Sequence, residues 1–295
     1  LFGVNRVMRF FPPVVTGPII ISIGLILAPS AIANASTNWL LAVAALAIII
    51  VCNIWGKGMV KIIPILLGVL GSYALALVMG KVDFAPIAQA ELFGSPIHAS
   101  AMAKFDVGAI LTIMPIALAA MMEHIGDMAA ISATVGQNFI AKPGLARTLL
   151  GDGLATTLAG FFGGPANTTY GENTGVLALT KVYDPKVIRI AAVVAIVLSV
   201  SPKFDAIVNT IPTAIIGGIS LILYGMISAI GVRNVVENQV DFTNSRNLII
   251  AAVILVSALG FNSVGGLTLF QSESLTISLS GLAIAAILGI ALNAV

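Results

Sequence analysis

A helical protein threaded many times through a bilayer is the fold class this chain predicts, and three observations carry the prediction. The sequence is 59% hydrophobic and only 9% charged, against roughly 25% charged for an average soluble domain, and its mean hydropathy is +1.09. Apolar runs of spanning length recur from end to end, separated by short polar breaks. The basic residues are dispersed in a pattern that a bilayer explains and a nucleic-acid surface does not, since the net charge is only +2.

In chain order the runs lie near Val14–Leu27, Trp39–Ile54, Ile62–Met79, Val107–Met122, Leu145–Phe162, Val187–Val200, Ala214–Ile230, Leu248–Leu259 and Ile277–Leu292. A tenth crossing is expected in the segment Gly163–Thr180, which is broken. With Arg6 and Arg9 on the cytoplasmic side and ten alternating segments, Lys57, Lys61, Lys142, Arg147, Lys181, Lys186, Arg189, Arg233 and Arg246 also fall inside. Only Lys81, Lys104 and Lys203 fall outside, a split of eleven against three, as the positive-inside rule requires. Both ends of the chain are then cytoplasmic. The polar connection from Gly80 to Lys104, with Lys81, Asp83, Glu91 and His98, is extracytoplasmic.

Cys52 is the single cysteine, so no intrachain disulfide forms and the redox compartment is not readable. Phe10–Leu27 is bracketed by prolines and lacks a small-residue cleavage site, unlike a signal peptide. Leu1 directly precedes a membrane segment, and further N-terminal sequence is expected before it. A weak echo points the same way: Phe11-Pro-Pro-Val-Val-Thr-Gly-Pro-Ile19 lies on Ile211-Pro-Thr-Ala-Ile-Ile-Gly-Gly-Ile219, pairing Pro12 with Pro212 and Gly17 with Gly217. One copy enters from inside and the other from outside, the mark of inverted repeats in transporters.

Four acids lie in or beside the apolar segments: Glu123, Asp127, Asp152 and Glu172. A carboxylate at bilayer depth costs several kcal/mol on most estimates and marks a functional group facing a cavity or a partner. Glu123 and Asp127, four apart, share one helix face. Two carboxylates so close resist ionising together in a low dielectric, so one holds a proton at neutral pH, as proton coupling requires. The plainer alternatives for Asp127 are a place near the cytoplasmic end of its helix, solvation, or a hold by neighbouring backbone. His124 is adjacent in sequence and points elsewhere. Asp152, in Gly151-Asp-Gly153 at the start of an apolar run, reads as a helix N-cap or first-turn acid.

The broken segment reads as an extended stretch over Ala166–Tyr170 followed by a half-helix from about Gly171 to Thr180. Gly163, Gly164 and Pro165 disfavour helix, and irregular backbone at membrane depth survives only where it lines a cavity or is buried in protein. The half-helix start offers free N–H donors beside the Glu172 carboxylate. Donors and an acceptor together suit a small planar ligand carrying both C=O and N–H groups. Tyr224, in the apolar run Ile219–Met226, is either a stacking aromatic for such a ligand or a packing residue.

At these residues the chain resembles the nucleobase/ascorbate transporter family, also called the second family of nucleobase-cation symporters, and most closely its uracil permease branch. Glu172-Asn-Thr-Gly175-Val-Leu-Ala-Leu-Thr180-Lys181 matches the family signature of Glu, Gln or Pro, then Asn-x-Gly, four residues, Thr, and a basic or small residue. Glu123-His-Ile-Gly-Asp127 resembles the other signature helix, and Asn167-Thr-Thr-Tyr-Gly-Glu172 is similar to the uracil branch's broken segment. The resemblance implies an all-α fold of fourteen segments in two inverted repeats of seven, of which this chain would be the last ten. Residues 1–82 and 203–295 would then be gate-domain segments, 83–104 the outer connection and 105–202 the core holding the substrate. It further implies that Glu123, Glu172, Tyr170 and Gly171 seat the base, that Tyr224 approaches from the gate, and that Glu123 and Asp127 couple the proton. His124, Asp152 and Asn173 are supporting candidates. Asp127 departs from the uracil pattern, which has histidine there, and is similar to the purine branch, as is Gly151-Asp-Gly153; Glu172 is acidic where that branch has glutamine.

The expected activity is therefore proton-coupled symport of a nucleobase, foremost uracil, across the cytoplasmic membrane. Carboxylates take the two N–H donors of uracil while half-helix N–H groups meet a carbonyl. The alternatives are a purine symporter of the xanthine or urate type and an anion carrier of the related inverted-repeat fold, which Glu172 would oppose. An enzyme is not expected, for no nucleophile–base pair and no His-Glu-x-x-His metal motif is present. No cofactor, metal or nucleic acid is expected; the partners are the nucleobase, the proton, the lipid bilayer and, as one assembly open to it, a second copy in a homodimer.

Overall fold

The computed structural model describes residues 11–97, 99–170, 173–271 and 276–294. In chain order its main helices are α1 (Pro13–Ser36), α2 (Trp39–Trp55), α3 (Pro64–Val78), α4 (Ala117–Val135), α5 (Leu145–Phe161), α6 (Asn173–Thr180), α7 (Pro185–Ser199), α8 (Pro202–Asn209), α9 (Thr213–Glu237), α10 (Ser245–Ser263) and α11 (Gly281–Ala294). A further short helix, Val107–Ile113, runs through a 3₁₀ turn at Met114–Ile116 into α4. Among the described residues α1, Val107–Ala129, α9 and α10 are each long and apolar enough to cross a membrane. The pair α7 and α8, bent by 95° at their break, passes that test together, and α2, α3 and α11 are shorter apolar helices. A multi-pass membrane protein is the architecture these helices support.

Local chemistry explains where the helices stop. Asn38 caps α2, its Oδ1 accepting from the Leu41 N–H at 3.3 Å. At the end of α5, Gly163 takes a left-handed φ of 80°, and the N–H groups of Gly163 and Gly164 donate to the carbonyls of Gly160 and Ala159. Both bonds of a Schellman cap are thus present, and Pro165 follows where the helix cannot continue. Lys181, directly after α6, sits at φ 56°. A side chain there costs about 1–2 kcal/mol, and glycine costs nothing comparable. Between α9 and α10, the Thr243 hydroxyl and N–H both donate to Asp241, and the hydroxyl bond foremost holds that carboxyl below its usual range.

The expected last apolar run divides. Leu267–Gln271 (β1) and Thr276–Leu279 (β2) pair antiparallel, with Leu267 opposite Leu279 and a register shift between Thr268 and Phe270, so the all-α expectation fails here and helix begins only at Gly281. Gly265 and Gly266 enter β1 at φ 84° and 91°. A Cβ on Gly266 would collide with the Leu279 carbonyl, so only glycine lets the strands approach at that point.

The chain forms two compact units, one comprising Leu1–Leu27, Met102–Gly175 and Tyr224–Val295, the other Ala28–Ala101 and Val176–Leu223. The first is centred on Val15 and Ile19 of α1, Met122 of α4, Ile250 and Ile254 of α10, and Ala285 and Ala286 of α11. The second is centred on Leu41, Ala45 and Ile49 of α2, Ala76 of α3, and Ala214 and Ile215 of α9. Small residues set the helix spacing in both, as expected where lipid removes the hydrophobic drive between helices. In the first unit Gly17 faces Gly231 and Val235, and Gly24 faces the Tyr224 carbonyl and Ser228. These contacts run antiparallel and are tied by Ser228 Oγ donating to the Ile21 carbonyl at 3.0 Å and Asn234 Nδ2 donating to Thr16 Oγ1 at 2.9 Å. In the second unit Gly217 faces Ala31, Asn34 and Ala35. The two sets share one offset of 200 residues, which turns Gly17–Gly231 into Gly217–Ala31 and Gly17–Val235 into Gly217–Ala35.

Candidate functional site

The site is organised by α4. Apolar and small residues around Glu123, His124 and Asp127 let it form a continuous helix, so Glu123 and Asp127 stand one turn apart on it as their spacing predicts. Glu123 is partly buried, and its Oε2 accepts from the Thr168 hydroxyl at 3.2 Å. Asp127 is 3% exposed. The alternative of a solvated acid at the helix end is thereby overturned, because α4 runs on to Val135 before Gly136, at φ 74°, ends it.

Facing α4 is the stretch from Gly164 to Tyr170, which has no helix or strand and leads to α6. The non-helical reading of Ala166–Tyr170 agrees with this. Asn173 opens α6, its N–H donating to the Tyr170 carbonyl at 3.3 Å, and Tyr170 is 68% exposed. Gly171 and Glu172, the expected backbone and carboxylate contacts to a ligand, lie outside the described residues, as do Arg6 and Arg9. Tyr224 lies half-buried on α9, with its carbonyl against Gly24.

Two expectations are corrected. Asp152 does not open its helix: α5 begins at Leu145, behind Gly144 at φ 100°, and Asp152 is about two turns inside. The Pro143-Gly144 break sets the start earlier than Gly151, and Thr148 and Asp152, four apart, share a face of α5. Nor does His124 point away from the site. It is 5% exposed; Nδ1 is 2.7 Å from Thr169 Oγ1, Nε2 is 2.9 Å from Thr148 Oγ1, and Asp152 Oδ2 is 3.6 Å from Nδ1. Adjacent positions on a helix diverge by about 100°. Here the broken stretch crosses α4 so that both side chains meet it, on successive threonines. Sequence reading missed Thr148, Thr168 and Thr169. The signal available was a pair of hydroxyls inside an irregular segment where backbone groups need partners.

The arrangement places a carboxylate acceptor on a helix, a hydroxyl-bearing irregular strand against it and a helix start just beyond. It can hold a flat polar molecule by its edge. The model of the permease family designated Xan_ur_permease matches residues 1–265. The uracil permease of Bacillus subtilis (strain 168) is 41% identical over 308 residues, covering 99% of this chain and 69% of its own length. The uracil permease of Escherichia coli (strain K12) is 39% identical over 294 residues, 96% of this chain and 66% of its own. A putative pyrimidine permease of the same strain is 40% identical over 280 residues, 90% and 62%.

Proposed function

Since this chain belongs to the Xan_ur_permease family of nucleobase/ascorbate transporters, we propose that it carries uracil across the cytoplasmic membrane together with a proton. The observation that carries the reading is the bond from Thr168 to Glu123, which brings the acid of one signature motif onto the broken segment of the other. Glu123 and Glu172 take the two N–H donors of the base, the Tyr170 and Gly171 backbone seats its edge, and Tyr224 covers its face. Such matching rejects analogues, because a missing partner leaves a buried polar group unpaired. Asp127, one turn from Glu123, tunes the proton that Glu123 holds. A purine substrate is the second reading, favoured by Asp127 and by Gly151-Asp-Gly153. The names of the relatives favour uracil.

The repeat reading draws support from the 200-residue offset in the glycine contacts, which follows the pairing of Gly17 with Gly217. Two inverted repeats of seven segments, with gate and core parts divided as the resemblance implies, are included in the proposal. The test is uptake of radiolabelled uracil by the full-length protein in vesicles with and without an inward proton gradient. Gradient-dependent accumulation, competed by uracil and not by xanthine, is expected. Competition by xanthine alone moves the assignment to purines, and absence of both kinds of uptake rejects it.

The orientation is also proposed: both ends in the cytoplasm, the Gly80–Lys104 connection outside. Supporting it, the Gly94 N–H donates to the Val200 carbonyl and the Lys203 N–H to the Glu91 carbonyl, while the Ala103 N–H donates to the Phe161 carbonyl. The first two bonds place the connection at the break between α7 and α8, where Lys203 lies, and the third ties its far end to the end of α5. An Ala99→Cys variant in intact cells is expected to react with a membrane-impermeant maleimide. Reaction from the cytoplasmic side alone would reverse the assignment.

A further inference from the structure

Three successive residues of the irregular stretch are each held by a side chain from outside it. The Asn167 carbonyl accepts from Thr156 Oγ1 at 3.1 Å, Thr168 donates to Glu123, and Thr169 meets His124. No helix or strand bonds fix this stretch, so these side chains set its height against α4. His124 is buried, and a bond at a buried group matters more than one in water, because water does not replace it.

His124 is the best braced of the three. Thr148 Oγ1, which meets Nε2, also lies 3.1 Å from the Leu145 carbonyl of its own helix. Nδ1 meets the Thr169 hydroxyl, and Asp152 lies beside the same nitrogen. Both ring nitrogens are occupied, one on α5 and one on the broken stretch.

We infer that His124 is a positioning residue: by pinning Thr169 to Thr148 it fixes the register of Asn167–Thr169 on α4 and so sets where Thr168 holds the Glu123 carboxylate. It touches neither ligand nor proton. Its effect on a bound base passes through Thr169 and Thr168. The inference rests on the uracil reading only for its binding readout.

The test uses the full-length protein and four variants: His124→Ala, Thr169→Val, the two combined, and His124→Asn, whose amide falls near the place of Nδ1. Each of the first two is expected to weaken uracil binding about tenfold, the effect of one lost buried hydrogen bond. The combination is expected to be no worse than either alone, because both break the same link. His124→Asn is expected to stay within about threefold of the parent. The pH profile of uptake is expected to be unchanged in Thr169→Val, since Glu123 and Asp127 are untouched. Parent-like binding by Thr169→Val, or losses that multiply in the combination, overturns the inference. If His124→Ala does not fold, Thr148→Val paired with Thr169→Val makes the same comparison. If the parent protein binds no uracil, the substrate reading fails by itself. The link is then read from thermal unfolding of the same variants, where non-additive shifts support it and additive shifts overturn it.

Discussion

Glutamine in place of Glu123 is expected to abolish proton-driven accumulation of uracil by the full-length protein while leaving some exchange of uracil across the membrane. The substitution keeps size and one acceptor, and it removes the titratable oxygen that Thr168 contacts. Glu172→Gln is expected to act on binding instead, weakening it by about 1.5–3 kcal/mol, the range of a hydrogen bond to a charged group. Asp127→Asn should leave binding largely intact and shift the pH dependence of uptake, because Asp127 is buried on α4 one turn from Glu123. Asp127→His places the residue of the uracil permease pattern at that position and should preserve uracil transport. The measurements are uracil binding to the purified protein and uptake in vesicles across a pH series. Full gradient-driven uptake in both glutamate variants would show that the two acids are structural and that the ligand site lies elsewhere.

The second large effect is on folding. Gly24→Val and Gly218→Val are expected to lower the thermal midpoint sharply or to prevent recovery of folded protein. An added Cβ at Gly24 would lie against the Tyr224 carbonyl, and one at Gly218 against the backbone of Ala42. Ordinary over-packing costs about 1–3 kcal/mol because side chains shift. Here the obstacle is backbone, so whole helices must part and lose their remaining contacts. Gly225→Ala and Gly260→Ala are the controls. Nothing among the described residues stands within 4 Å of a Cβ at either position, and alanine favours helix by roughly 0.5–1 kcal/mol over glycine. Their midpoints should be unchanged or slightly higher. Equal loss in all four variants would mean that glycine flexibility, and not close approach, is what these positions require.

Much of the architecture was legible without coordinates. The helices lie on the expected apolar runs, and the segment after Phe162 is broken where Gly163, Gly164 and Pro165 said it would be. These signals are local. An apolar stretch must satisfy its own backbone groups by forming helix, and a glycine or proline interrupts that within one turn. The same locality explains the misses. Thr, Leu, Phe and Ile around 267–279 suit a strand or a buried helix equally by apolarity, and pairing between β1 and β2 decided for strand. Asp152 was assigned to a helix start because an apolar run begins there, while the start was set seven residues earlier, behind Gly144.

By itself the sequence determined the membrane architecture, the position of the broken segment and the family, because hydropathy, helix breakers and signature spacing are all written in consecutive residues. Only the tertiary structure decided what the polar groups in that apolar frame hold. His124 meets Thr169 across 45 positions of chain, Glu123 meets Thr168 across the same separation, and Gly17 meets Gly231. A buried polar group takes whichever partner packing brings within about 3 Å, and a glycine contact forms wherever two helix backbones cross. Both depend on how helices distant in sequence lie together, which no local pattern records.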